Sequence, residues 1–493
     1  MLYLSKSQYC AGLQCPKQLW LKKFKPEVFD SSIMNEGVLS NGNKVGDIAK
    51  GLFGEYVEVD FNIDKSIMIS KTKELINNGT RIIAEASFAF EGNFCSVDIL
   101  KNTENGIEIY EVKSSVAVSD IYKHDVAYQV YVLRKLGYKI NNVYLVHLNN
   151  QYVRKDKLDL NKLFKIVDVT LEAFELQGFV ENTISQLEEY MKQSDEPIDD
   201  IGTHCFNPYQ CGFWKYCSKY LPAPSVFDVS RLSKVKKFKY YHDNIISYND
   251  LLNNDVKLND NQRLQIESYV NDLPAIINKT KLKKFLNGLT YPLYFLDFET
   301  YQQAIPLFDN VKPYMQIPFQ YSLHIRQSTD STLEHKEYLA QPAIDSRREL
   351  AVRLCQDIPD NVCVLAYNMS FEKGRIKELA ALFPDLKVHL MRIHDNIQDL
   401  MIPFQKKWYY SKEMQGSYSI KYVLPTLCPN DAELDYHKLE GIHNGSEAMN
   451  AFAELSEKSS DEVELIRKNL LAYCRLDTLA MVKVLEKLIE VSE

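Results

Sequence analysis

The first residues in this chain that could do chemistry are two carboxylates in an otherwise apolar run. The segment YPLYFLDFETY, residues 291–301, has the aromatic and aliphatic content of a buried strand, yet it carries Asp297 and Glu299. A carboxylate in such a place is costly unless it is paired or bound to metal. Strand alternation puts the two on one face, so both can reach a single divalent cation, Mg²⁺ or Mn²⁺. Near the far end, Tyr473 and Asp477 stand four residues apart in a run rich in Leu, Glu and Lys. That spacing places them on one face of a helix. A second constellation lies in three successive strand-like runs, RIIAEASFAF, FCSVDILK and GIEIYEVKSS, which carry Glu85, Asp98, and Glu111 with Lys113. Period two sets Glu111 and Lys113 on a common face. The chain also has ten cysteines, and in a reducing compartment any that cluster call for a metal explanation.

DFET, YNMSFEKGRI and AYCRLD resemble, in order, the three exonuclease motifs of the DEDD or DnaQ-like family. The resemblance implies a ribonuclease-H-like α/β domain in which Asp297, Glu299, Glu372 and Asp477 hold two cations for phosphodiester hydrolysis. Glu372 stands where the family has Asp, one methylene longer, which moves the ion. Tyr473 precedes Asp477 by four, and Ala472 stands where the other branch has His, so the chain looks like the Tyr branch. The Tyr473 hydroxyl would then orient the water, since an ordinary tyrosine stays protonated at neutral pH.

The first half is similar to the PD-(D/E)xK nucleases, in their RecB-like branch. That implies metal-binding Asp98 and Glu111, a water-positioning Lys113, and Glu85 as an added ligand. Gln129 falls where this branch has Gln-x-x-x-Tyr, but the residue four on is Leu133. Cys15 lies before this core and Cys205, Cys211 and Cys217 after it, an arrangement similar to the iron–sulfur RecB-like nucleases, including CRISPR-associated ones. It implies a [4Fe–4S] cluster, with structural zinc as the alternative, because four thiolates suit either. Cys10 is a possible substitute for Cys15.

These residues need elements to hold them, and 493 residues are enough for two or three domains. The pattern predicts an α/β nuclease-like domain over 1–222, a helical connector over 223–288 and an α/β exonuclease-like domain over 289–493. In the last, three strands, a helix, a strand and a helix are expected in that order. Together the halves resemble a group of bacterial fusion proteins, which implies DNA processing in repair or defence. The competing readings are a nucleic-acid-binding protein with an inactive N-terminal clamp, and an RNA exonuclease.

The net charge of −8 argues against a general polyanion binder. Local stretches such as SKVKKFK and KTKLKKFL could meet phosphates, or simply be solvated helix faces. No run approaches the roughly 20 apolar residues of a membrane span. A cytoplasmic protein with DNA as partner, or RNA, and no membrane partner is the expectation; the sequence names no protein partner.

Overall fold

The structure is a computed structural model of the chain and describes residues 4–33, 36–429 and 431–493. It is mixed α/β, as the patterns anticipate, and divides into two units. The first takes Met1–Tyr220 and Gln303–Met315; the second takes Leu221–Gln302 and Gln316–Glu493.

The first unit is built on a seven-stranded sheet of β1 (Leu4–Ser5), β2 (Val57–Glu58), β3 (Ile82–Phe90), β4 (Asn93–Thr103), β5 (Gly106–Lys113), β6 (Ile140–Leu148) and β7 (Phe164–Asp168). The order is β2-β3-β4-β5-β6-β7, with β1 alongside β4. The three strand-like runs seen in the sequence form the antiparallel meander β3-β4-β5. Its helices include α1 (Lys6–Gln14), α2 (Pro16–Phe24), α3 (Lys65–Asn77), α4 (Asp120–Lys135) and α5 (Gln177–Tyr190). The crossover through α4 brings β6 in parallel to β5, as a helical connection between parallel strands must. One core gathers Tyr9, Leu21, Ile83, Val97, Ile109 and Val130. A second joins Val45, Ile82, Ile99 and Val146 to Ala304 and Ile305.

Those last two belong to a segment far away in sequence. Gln303–Met315 is pinned within the first unit by Ala304 N donating to Asn41 Oδ1 at 3.0 Å, Arg154 Nη1 to the Pro306 carbonyl at 2.8 Å, and Tyr314 Oη to the Ser114 carbonyl. The sequence pattern predicts an unbroken third domain over 289–493, whereas the structure sets Gln303–Met315 with the first unit. A short apolar connection between two strands gives no pattern that would assign it elsewhere.

In the second unit the connector forms α6 (Lys234–His242), α7 (Tyr248–Asn253) and α8 (Asp260–Val270), which enclose Val226, Tyr240, Leu251 and Ile266. Two-residue strands β8 (Ile276–Ile277) and β14 (Tyr409–Tyr410) pair with each other. The main sheet contains β9 (Leu293–Tyr301), β10 (Ile317–Arg326), β11 (Glu334–Leu339), β12 (Cys363–Ala366) and β13 (Ile397–Asp399), in the order β11-β10-β9-β12-β13. β10 is antiparallel to both β9 and β11, while β12 pairs parallel to β9 and β13 parallel to β12. Its further helices include α9 (Arg347–Asp357), α10 (Ser370–Leu382), α11 (Lys387–Asn396), α12 (Ile420–Leu427), α13 (Gly445–Glu454) and α14 (Ser460–Ser492). The expected order of three strands, helix, strand, helix is present. Among the described residues no helix is long and apolar enough to cross a membrane.

Candidate functional site

Asp297 and Glu299 lie on the central strand β9, opposite Ser322 and Gln320 of β10. The 33-residue helix α14 brings Asp477 to the same place. It starts at a capping box in which Ser459 N donates to Glu462 Oε2 at 2.9 Å. Its register on the sheet is fixed by polar contacts. Thr478 Oγ1 lies 2.7 Å from both Ser322 Oγ and His324 Nδ1, and Gln320 Nε2 donates to the Leu470 carbonyl at 2.8 Å. Donor atoms of Asp297, Glu299 and Asp477 consequently lie within 4.8 Å of one another.

Glu372 is carried on the first turn of α10, after a tight turn at Asn368. Asn368 has φ 72°, a left-handed conformation that Asn tolerates better than most residues. Its N–H donates to Asp399 Oδ1 at 3.0 Å, and Met401 N donates to the same oxygen at 2.9 Å. Glu372 is 2 % exposed, and its Oε2 has no hydrogen-bond partner. It stands outside the tight trio, but its charge acts on both Asp297 and Glu299.

Burial, reinforced by Asp477 and Glu372, holds the Asp297 and Glu299 carboxyls well above the usual carboxylate range. Burial also pushes Glu372 up to about 8. Asp477 is raised by burial to about 6, with hydrogen bonds from Tyr436 and Tyr473 and the charge of Lys421 opposing the rise. Such crowding of buried and half-buried carboxylates, one with an open oxygen, suits a hard divalent ion. Tyr473 is 4 % exposed, and burial followed by Asp477 raises its pKa, so it holds its proton.

Sequence reasoning missed three neighbours. Tyr436 Oη donates to Asp477 Oδ1 at 2.6 Å, the Cys474 thiol lies 3.7 Å from Asp297 Oδ2, and Lys421 on α12 acts on Glu299 and Asp477 as a cation. Cys474 was one step from a motif residue, but nothing in the spacing marked the other two.

In the first unit, β4 and β5 bring Asp98 and Glu111 together with Lys113, but their oxygens are already engaged. Glu111 Oε1 accepts from both Lys6 Nζ and Lys113 Nζ at 2.7 Å, and its Oε2 accepts from Gln129 Nε2 at 2.7 Å. Asp98 Oδ2 accepts from Val112 N at 2.7 Å, and its Oδ1 is 3.7 Å from Lys6 Nζ. Lys113 also pairs with Asp125 Oδ2 at 2.5 Å. As arranged, this donor set does not fit a divalent ion, because ammonium groups hold the place beside the carboxylates. Glu85 is turned to another partner: it occupies a left-handed kink in β3 (φ 56°) and lies 3.8 Å from Lys50 Nζ. Lys6 and Asp125 were invisible to spacing arguments. Gln129, present in an incomplete motif, does reach the site.

Cys15, Cys205, Cys211 and Cys217 are free thiols that share one neighbourhood. Burial raises Cys15, Cys205 and Cys217, and Cys211 adds to the rise in each. Gln14 Nε2 donates to the carbonyls of His204 at 2.8 Å and Tyr209 at 2.7 Å, while Cys211 N donates to the Cys205 carbonyl at 2.8 Å. On the other side, Glu196 accepts from Lys17 at 3.1 Å, Lys25 at 2.6 Å and Tyr216 Oη at 2.7 Å. The four thiols are thus electrostatic neighbours, but among the described residues only Asp297, Glu299 and Asp477 bring three or more donor atoms within 4.8 Å of one another. Cys10 instead feels Asp125, Lys113 and Glu111, so it belongs with the acid cluster.

Residues 294–419 match the family described as "Domain of unknown function (DUF2779)". That stretch includes Asp297, Glu299 and Glu372 but ends before Tyr473 and Asp477. The chain is 29 % identical over 167 residues, 32 % of its length and 25 % of the relative's, to "Uncharacterized protein MG366 homolog" of Mycoplasma pneumoniae. It is 23 % identical over 402 residues, 72 % of its length and 60 % of the relative's, to "Uncharacterized protein MG366" of Mycoplasma genitalium. The chain thus spans less than two thirds of the curated relatives it matches. No solved structure matches it.

Proposed function

We propose that the chain is a divalent-metal-dependent nuclease whose second unit hydrolyses phosphodiester bonds of DNA from the 3′ end. The observation that carries this reading is the gathering of Asp297, Glu299 and Asp477 within 4.8 Å, backed by the open Oε2 of Glu372. The strand order β11-β10-β9-β12-β13, with the acids on the central strand and a long helix crossing them, supports a ribonuclease-H-like exonuclease domain. Asp297, Glu299, Glu372 and Asp477 would hold Mg²⁺ or Mn²⁺, which when bound supplies charge to activate water and stabilise the leaving oxygen. Tyr473, kept protonated, orients that water by hydrogen bonding. Tyr436 fixes the Asp477 carboxylate through its own hydrogen bond.

The first unit resembles a RecB-like nuclease core, and in this proposal it grips the strand without cutting it. The engagement of Glu111 by Lys6, Lys113 and Gln129 favours the clamp over a second cutting site. The four thiols would hold a [4Fe–4S] cluster, with zinc as the alternative. Anaerobically purified protein with a broad visible absorption supports the cluster; colourless protein containing one zinc overturns it.

The activity is tested by offering labelled single- and double-stranded DNA and RNA with Mg²⁺ or Mn²⁺ to the parent chain. Nucleotide release from DNA 3′ ends supports the reading, whereas release from RNA alone converts it to an RNA exonuclease. A parent chain inert on every polymer refutes it. The biological setting in this proposal is DNA repair or defence.

A further inference from the structure

The most informative feature outside the proposed active site is the ammonium of Lys6. It lies 2.7 Å from Glu111 Oε1, 3.4 Å from the Ser96 carbonyl and 3.7 Å from Asp98 Oδ1. Two carboxylates and a backbone carbonyl are the oxygen set that a hard cation takes. Here the cation is part of the chain.

The position of Lys6 is dictated by its backbone. β1 pairs with β4 at Leu4 with Asn93 and Ser5 with Phe94. Leu4 N donates to the Gly92 carbonyl at 3.0 Å, and Tyr128 Oη donates to the Leu4 carbonyl at 2.5 Å. Ser5 then caps α1 through a reciprocal box with Gln8, Ser5 N to Gln8 Oε1 at 2.8 Å and Gln8 N to Ser5 Oγ at 3.3 Å. Lys6 is the first residue of that helix, so its side chain leaves from a point fixed on both sides. Its side chain is only 20 % exposed.

The charges around it are nearly balanced. Asp98, Glu111 and Asp125 face Lys6 and Lys113, and Gln129 donates to the remaining oxygen of Glu111. A divalent ion placed beside Glu111 would meet two ammonium groups and find no free oxygen on that carboxylate.

We propose that Lys6 is the built-in counter-ion of the first unit's acid cluster, occupying the cation position between Asp98 and Glu111, so that this cluster takes no divalent metal while Lys6 is present. The inference goes beyond the activity assigned to the second unit and does not depend on it. Removing the ammonium should turn a filled site into a vacant one.

The test is Mn²⁺ binding, read from the electron paramagnetic resonance signal of the free ion, in full-length chains carrying Asp297→Asn and Asp477→Asn to silence the second unit. In that background the Lys6 chain and its Glu111→Gln variant should bind the same number of ions. Lys6→Met, which keeps the length of the side chain and removes its charge, should bind one more, and Glu111→Gln should abolish that extra ion. If the Lys6 chain binds one ion more than its Glu111→Gln variant, the proposal is overturned. A folded Lys6→Met chain with no extra ion also overturns it. Should Lys6→Met fail to fold, the comparison of the Lys6 chain with Glu111→Gln still decides.

Discussion

At the scale of single residues, two hydroxyls converge on Asp477 and have separable duties. Tyr473 stands at the motif position and would touch the attacking water, while Tyr436 reaches only the carboxylate, at 2.6 Å. Tyr473→Phe should therefore lower kcat by about 10²–10⁴-fold with little change in metal affinity. Tyr436→Phe should act through the ligand it positions, weakening metal affinity or activity by about 10–100-fold. Metal titrations of cleavage rate on both variants separate the two roles; equal shifts in metal dependence would show that they share one. In the first unit, Glu111→Ala would leave Lys6, Lys113 and Gln129 without their common acceptor. Breaking such a buried ionic network costs on the order of 3–5 kcal/mol, so the unfolding transition of this unit should fall clearly in a thermal melt. An unchanged melt would mean that the network contributes nothing to stability.

At the scale of elements, the turn at Asn368 and the seam along α14 decide where the acids stand. Asn368 adopts φ 72° just before the helix that carries Glu372. Glycine should replace it nearly without cost, whereas Asn368→Val should lose about 1–2 kcal/mol from backbone strain and reduce cleavage by displacing Glu372. Equal stability of the two variants would contradict the strained-turn account.

The elements themselves were largely readable. The strand-like runs RIIAEASFAF and GIEIYEVKSS anticipated β3 and β5, and the apolar run at 291–301 anticipated β9. The strands that escaped notice, such as β1 and β13, have two or three residues and carry no period to detect. Motif residues four or fewer apart were legible because one helix or strand fixes their relation. Lys6 and Glu111 are 105 positions apart, and only tertiary pairing of β1 with β4 puts them in contact.

For the whole molecule, the two kinds of metal proposed for two different places should be separable. Cys15 and the Cys205 to Cys217 segment lie at opposite ends of the first unit's long stretch of chain. A metal that joins them closes a long loop, and its binding energy is folding energy. Cys205→Ser should remove the thiolate-bound metal and destabilise the first unit. Brief treatment with EDTA should instead abolish cleavage reversibly, restored by Mg²⁺, while leaving the visible absorption in place. Loss of both together would contradict the separate assignments. The return of Gln303–Met315 to the first unit was not legible in the sequence. Its apolar Ala304 and Ile305 suit any core, and only the structure says which one they enter.

The central claim rests on the carboxylates of β9, and the most direct measurement is release of 3′-terminal nucleotides from labelled DNA by the parent chain and by Asp297→Asn, both at saturating Mg²⁺. The expected result is steady release by the parent and loss of it to background in the variant, with thermal melts showing both folded. Release by the Asp297→Asn chain at the parent's rate would contradict the assignment of this acid cluster as the catalytic site.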